Sequence, residues 1–185
     1  MSHGPDDRDS NEAATASPAP QGFEGGLLSL LPSLRRYARS LTHDTSEGED
    51  LLQDAVERAL LNRHQWSGAN LRGWTFTIMT NLFRNRLRRD VHKPQSGLEA
   101  VEMLPDGREP ADPLQRNRLL AALNMLPPDQ RATLMLVVVE GYSYAETAEI
   151  TGAPIGTVMS RLSRARSSLA GILENDNVIA LRRPE

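Results

Sequence analysis

The chain contains no cysteine. Disulfides and thiolate-ligated metal sites are therefore excluded. Histidine is also scarce: His3, His43, His64 and His92 stand apart, with no pair four residues apart and no acidic cluster around them. Surface or capping roles suit them better than a metal site. Aromatic residues make up only 4% of the chain, and strand-like alternation is hard to find. No apolar run approaches 18 residues, and the N-terminus lacks the basic-then-apolar order of a signal peptide. These absences predict a soluble cytoplasmic protein without membrane insertion. No clustered nucleophile, base or metal constellation is visible, so neither an enzyme nor a cofactor is expected.

What is present is Ala, Leu and Arg, in 185 residues that are 39% hydrophobic. Such a composition predicts an all-α protein of one medium domain or two small ones. The net charge of −3 hides a segregated pattern. Residues 1–26 set five acids against Arg8, and residues 44–58 set six acids against Arg58. Residues 72–93 carry Arg72, Arg84, Arg86, Arg88, Arg89 and Lys93 against Asp90 alone, and residues 155–170 carry Arg161, Arg164 and Arg166 with no acid. Two separate basic patches point to nucleic acid.

The most informative segment is 141–170, GYSYAETAEITGAPIGTVMSRLSRARSSLA. It reads as a helix-turn-helix. Ala148 supplies a small residue, Gly152 a left-handed turn position, and Pro154 an early position of the next helix. In that second helix Val158, Leu162, Ala165, Leu169 and Ile172 recur at 4-3-4-3 spacing. Ser160, Ser163, Arg164 and Ser167 face the opposite way, flanked by Arg161 and Arg166. Small polar and arginine side chains on an exposed face suit a helix lying in a DNA major groove, although an amphipathic helix with a solvated basic face has the same pattern.

Upstream, residues 1–22 are rich in Pro, Ser, Ala and Asp and read as a disordered leader. A first helix is expected over 24–42, with Pro32 marking a kink or a late start. A second runs from Ser46 and its acidic first turn to about Trp66, burying Leu51, Leu52, Ala55, Val56, Ala59 and Leu60 and leaving Asp50, Gln53, Asp54 and Glu57 outside. A third spans 71–89, with Trp74, Ile78, Leu82 and Leu87 toward a core. Its four arginines at 84, 86, 88 and 89 exceed what a helix C-terminus needs, which suggests a phosphate-facing surface. Residues 90–113, with four prolines and two glycines, read as a linker. Two helices split by Leu126–Asp129 follow, with LMLVVVE at 134–140 as a buried helix, and 175–185 as a frayed tail. The modules are thus placed at 23–90 and 114–174, joined by 91–113.

This order of motifs resembles the sigma-70 family, specifically the two-domain extracytoplasmic-function (ECF) sigma factors. The resemblance covers roughly residues 24–173. EDLLQDAVERAL (49–60) is similar to region 2.2, WTFTIMTNLFRNRLRR (74–89) to regions 2.3 and 2.4, and LPPDQRATLMLVVVEGYSYAETAEITGAPIGTVMSRLSRARSSL (126–169) to region 4. It implies a sigma-2-like domain, a sigma-4-like helix-turn-helix domain, and promoter-specific initiation on core RNA polymerase. By that resemblance Asp50, Gln53 and Asp54 face the polymerase β′ coiled coil, and region 4 faces the β flap. Asn81, Arg84, Arg88 and Arg89 face the minus-10 element, where a flipped base is held and melting is favoured. Ser160, Ser163 and Arg164 read minus-35 bases, while Thr157, Arg161 and Arg166 hold phosphates. An anti-sigma factor is a further implied partner. Asp106, Glu109 and Asp112 would make the linker a nucleic-acid mimic.

Some positions depart from the family pattern. Met159 stands where Arg or Lys is common, so one minus-35 contact is apolar or absent. Thr77 and Thr80 replace residues that are often basic. Thr147 and Thr151 replace aliphatics, and each buried hydroxyl then needs a carbonyl one turn back. Two rival readings are a dimeric helix-turn-helix regulator and a sigma-like decoy that sequesters an anti-sigma factor.

Overall fold

The computed structural model describes residues 22–42, 44–90 and 113–181. Seven α-helices and no strand occur among the described residues: α1 Gly22–Leu41, α2 Thr45–Leu61, α3 Leu71–Asp90, α4 Pro113–Asn124, α5 Pro128–Leu134, α6 Tyr144–Thr151 and α7 Ile155–Leu181. A 3₁₀ turn, Arg63–Gln65, follows α2, and a π-helical turn, Met135–Val139, follows α5.

The helix starts follow from local chemistry. Asp44 caps α2 by accepting from the Ser46 amide at 3.1 Å, two residues before the expected start. Asn70 begins α3, its Oδ1 accepting from the Gly73 amide at 2.9 Å. A side chain at Gly73 would collide with this cap, because a Cβ there falls within 2.5 Å of Asn70. Pro32 lies inside α1, ten residues after its start, so the late start does not occur. The second helix ends at Leu61, short of Trp66, and Leu60 is exposed rather than buried. α7 continues to Leu181, through most of the segment expected to fray.

Helices α1, α2 and α3 form one bundle. Leu34, Tyr37, Leu41, Leu51, Ala55, Phe76 and Met79 are fully buried in it. Trp74, Ile78, Leu82 and Leu87 only pack partly against this core; the deepest α3 positions are Thr75, Phe76, Met79 and Thr80. The sequence pattern placed the buried stripe slightly off because threonines, which read as polar, sit at its centre. Thr80 donates to the Phe76 carbonyl at 2.7 Å and lies 3.0 Å from the Tyr37 hydroxyl, so it lies in the core and not on a DNA-facing surface. Burial pushes the Tyr37 hydroxyl well above its ordinary range.

Helices α4 to α7 build the second module around Leu126, Leu134, Leu162 and Ala165. Met135 and Leu136 are buried as expected, but Val138 and Val139 are exposed, because the π-helical turn rotates the end of the run outward. The two modules share apolar packing: Ala132, Met135, Leu136, Tyr142 and Ile150 join the core of the first bundle. Of the expected leader 1–22 and linker 91–113, residues 1–21 and 91–112, with Asp106, Glu109 and Asp112, lie outside the described residues, while Gly22 and Pro113 begin α1 and α4 and so belong to helices.

Candidate nucleic-acid interface

Asp50, Gln53 and Asp54 are exposed on one face of α2, as the sequence pattern requires. Gln53 also lines a groove between α1 and α2, with Leu31, Leu52, Val56, Leu60 and Leu61 as its apolar part. Glu49 at the groove edge is held by Arg35 at 3.1 Å and Arg39 at 2.9 Å. Asp54 takes a 2.6 Å hydrogen bond from Arg86, tying this face to α3. An apolar groove rimmed by carboxylates and an amide suits an amphipathic basic helix.

On α3, Asn81, Arg88 and Arg89 are exposed, and Arg88 donates to Asn85 at 2.7 Å. Arg84 is different. It turns toward the second module, where Nε and Nη2 donate to Asp129 at 3.2 and 3.0 Å and Nη1 donates to the Thr151 carbonyl.

The helix-turn-helix is well specified. Ser143 caps α6: its hydroxyl accepts from the Glu146 amide at 3.2 Å, while Glu146 accepts from the Ser143 amide at 2.8 Å and the Ser143 hydroxyl at 2.7 Å. This reciprocal pair satisfies two orphan donors. The Ser143 hydroxyl and amide hold the Glu146 carboxyl below its ordinary range. Gly152 sits at φ 59°, the left-handed conformation that the turn demands. Val158, Leu162 and Ala165 anchor α7 in the core. Met159, Ser163, Arg164 and Arg166 are exposed, whereas Thr157 and Ser160 are half-buried, the Ser160 hydroxyl donating to the Thr157 carbonyl at 3.0 Å. Arg161 is half-buried and donates to Asp129.

Asp129 therefore joins one arginine from each basic patch. Glu140 joins the modules a second time. Its side chain is fully buried between Arg36 at 2.8 Å and Arg72 at 3.0 Å, and Arg72 also donates to the Glu140 carbonyl at 2.6 Å. Arg72 stacks on Tyr142, 4.3 Å from the ring centroid. Arg131 completes the seam, donating to the Leu41 carbonyl at 2.6 Å and to Asn124 at 3.1 Å. Burial lowers its pKa to about 10. Between the modules lies a cleft with Asn70, Gly73, Trp74 and Thr77 on one side and Glu146, Glu149 and Ile150 on the other.

The sequence pattern carries no role for Asp129, Glu140 or Arg131, and it counts Arg72 in a basic patch pointing to nucleic acid, whereas the structure turns Arg72 onto Glu140. Their partners are distant in sequence, so periodicity carries no signal for them. The one hint in the sequence is Glu140, a carboxylate at the end of the run 134–140 that reads as a buried helix.

The family description "Sigma-70, region 4" matches residues 116–169, and "Sigma2 domain of PhyR" matches residues 27–80. The chain is 38% identical over 162 residues to the ECF RNA polymerase sigma factor EcfG of Rhodopseudomonas palustris, covering 86% of this chain and 89% of that one. It is 40% identical over 148 residues to the ECF RNA polymerase sigma factor SigM of Mycobacterium tuberculosis, covering 76% and 71%. Among solved structures it resembles the sigma factor RpoE in complex with the anti-sigma factor NepR from Bartonella quintana, with TM-score 0.70, 36% identity, and 87% and 98% coverage. The anti-anti-sigma factor PhyR, at 20% identity, shares the fold. The two-module helical fold with its helix-turn-helix thus defines a sigma-type transcription factor. The chain belongs to the ECF RNA polymerase sigma factors of the sigma-70 family. It is an alternative sigma factor that directs promoter-specific transcription. Among the described residues no helix is long and apolar enough to cross a membrane.

Proposed function

We propose that the two modules grip separate promoter elements, and that they do so by parting from the closed arrangement. Residues 23–90 form the first module, with Asp50, Gln53 and Asp54 docking on a basic helix of core polymerase and Asn81, Arg84, Arg88 and Arg89 holding the minus-10 strand. Residues 114–174 form the second, with the exposed face of α7 reading the minus-35 element. The observation that carries this reading is Asp129, which binds Arg84 and Arg161 together. A carboxylate occupying two arginines is a local stand-in for phosphate. Neither arginine reaches DNA until that bridge breaks.

The loop Ala69–Asn70 and the start of α3 form the wall against which an unstacked base would be held. In the closed form Glu146 and Glu149 cover that wall with negative charge. Capture of an unpaired base spends binding energy only on melted DNA, which favours the open promoter. The protein then acts by binding, not as an enzyme, and it works in the cytoplasm, where polymerase is. The Bartonella relative was solved with the anti-sigma factor NepR, which supports an anti-sigma factor as partner here.

Reconstitution tests the reading. Core polymerase plus this chain is expected to produce specific run-off transcripts from a cognate promoter, and Arg84→Ala is expected to reduce them. The match to the PhyR sigma-2 domain keeps one other reading, a decoy that sequesters anti-sigma factor. Tight NepR-type binding with no initiation at any selected promoter would support the decoy instead.

A further inference from the structure

We propose that Ile155 and Met159 form an apolar reading pair on α7 that selects thymine methyl groups in the minus-35 element. The inference rests on the proposed role of α7 as the groove-bound helix.

Ile155 opens α7, and Met159 lies one turn further on; they are 50% and 52% exposed. Their neighbours Val158 and Leu162 are buried and fix the orientation of the helix. Between them Gly156 has open space where a Cβ would stand, so another surface can approach the backbone there. Arg166, seven residues after Met159, continues the same stripe, while Arg164 is exposed on another face of the helix, about 140° round from Met159. No acid occurs between residues 155 and 170. The stripe therefore runs apolar, apolar, cationic, on a surface whose charge matches a phosphate backbone.

The N-terminal turns of a recognition helix are the ones that meet base edges. In the major groove G, C and A present only donors and acceptors, and thymine alone adds an apolar group, its C5-methyl. Set against the other bases, Ile155 and Met159 would cover polar edges without replacing their hydrogen bonds, which is unfavourable. Set against thymine they bury apolar surface on both sides. A four-residue separation spans about 6 Å of helix, and base pairs rise about 3.4 Å per step. The pair can thus meet methyl groups about two steps apart. An arginine or lysine at 159 would seek guanine instead, so this chain should differ in promoter choice from relatives with a basic residue there.

The test uses the full chain bound to core polymerase. A duplex pool randomised over the minus-35 element is selected, and each thymine of the selected duplex is then replaced by deoxyuridine, which removes only the methyl. Replacement at one or two positions is expected to weaken binding about fourfold per methyl. The I155A/M159A variant should lose this discrimination while retaining its fold, since both side chains are on the surface. Met159→Lys should shift the selected sequence toward guanine. If uridine replacement has no effect while Arg164→Ala still weakens minus-35 binding, methyl reading is wrong and the helix placement stands. If Arg164→Ala has no effect either, the placement of α7 is wrong as well. Unchanged thymine discrimination in I155A/M159A, with loss of an anti-sigma contact, would assign the patch to a protein partner and overturn the proposal.

Discussion

Thr147 and Thr151 lie one turn apart on α6, and both are buried. They are not equivalent. Thr151 donates to the Thr147 carbonyl at 2.7 Å, the bond one turn back that its burial requires. Thr147 Oγ1 is buried with no hydrogen-bond partner, against the expectation that both would find one. An unsatisfied hydroxyl costs about 1–3 kcal/mol. Thr147→Val, nearly equal in shape, is expected to stabilise the protein by about 1 kcal/mol, measured as a higher urea midpoint at unchanged slope. Thr151→Val should show no such gain, because it deletes a bond that is made. Glu140 presents the opposite case. Its carboxylate is buried but held by two arginines, so the desolvation cost is offset only while both remain.

At the scale of elements, α6 depends on its capping box. Ser143→Ala is expected to cost about 1 kcal/mol of stability. The Glu146 carboxyl is held below its ordinary value of 4.5 by Ser143, so its contribution is complete above that value and fades as pH falls below it. The stability difference between wild type and Glu146→Gln should accordingly shrink in acid when followed by urea denaturation across pH. On α7, Arg164→Ala is expected to weaken minus-35 binding by about 1–3 kcal/mol if its guanidinium contacts a base, checked by titrating labelled duplex. Much of this was legible in the sequence. The Gly152 turn, the Val158–Leu162–Ala165 stripe and the exposed acidic face of α2 are one-dimensional patterns, and they fall where periodicity and turn chemistry place them. Thr80 in the core and Val138 at the surface were not legible: the first depends on a hydroxyl bond to Tyr37, the second on a π-helical turn.

The whole molecule is closed by charge across the seam between its modules. Asp129, Glu140 and Arg131 each join chain segments far apart in sequence, so no local pattern announces them. The sequence separates two basic patches, and the fold brings one arginine of each to a shared carboxylate. Asp129→Ala should free Arg161 and leave Arg84 held only by the Thr151 carbonyl, tightening non-specific DNA binding by the polymerase-free protein and steepening its salt dependence by about one unit for each arginine released. Filter binding over a salt series measures both. The central claim, that closed modules must part to grip a promoter, can be tested with a reversible lock. The natural absence of cysteine means that thiols placed at Ala69 and Glu149, exposed residues lining the cleft between the modules, would be the only ones in the chain. Joined by a short cleavable cross-linker, that protein is expected to give no promoter-specific transcript with core polymerase and to regain activity when the linker is reduced. Full initiation by the locked protein would contradict the account.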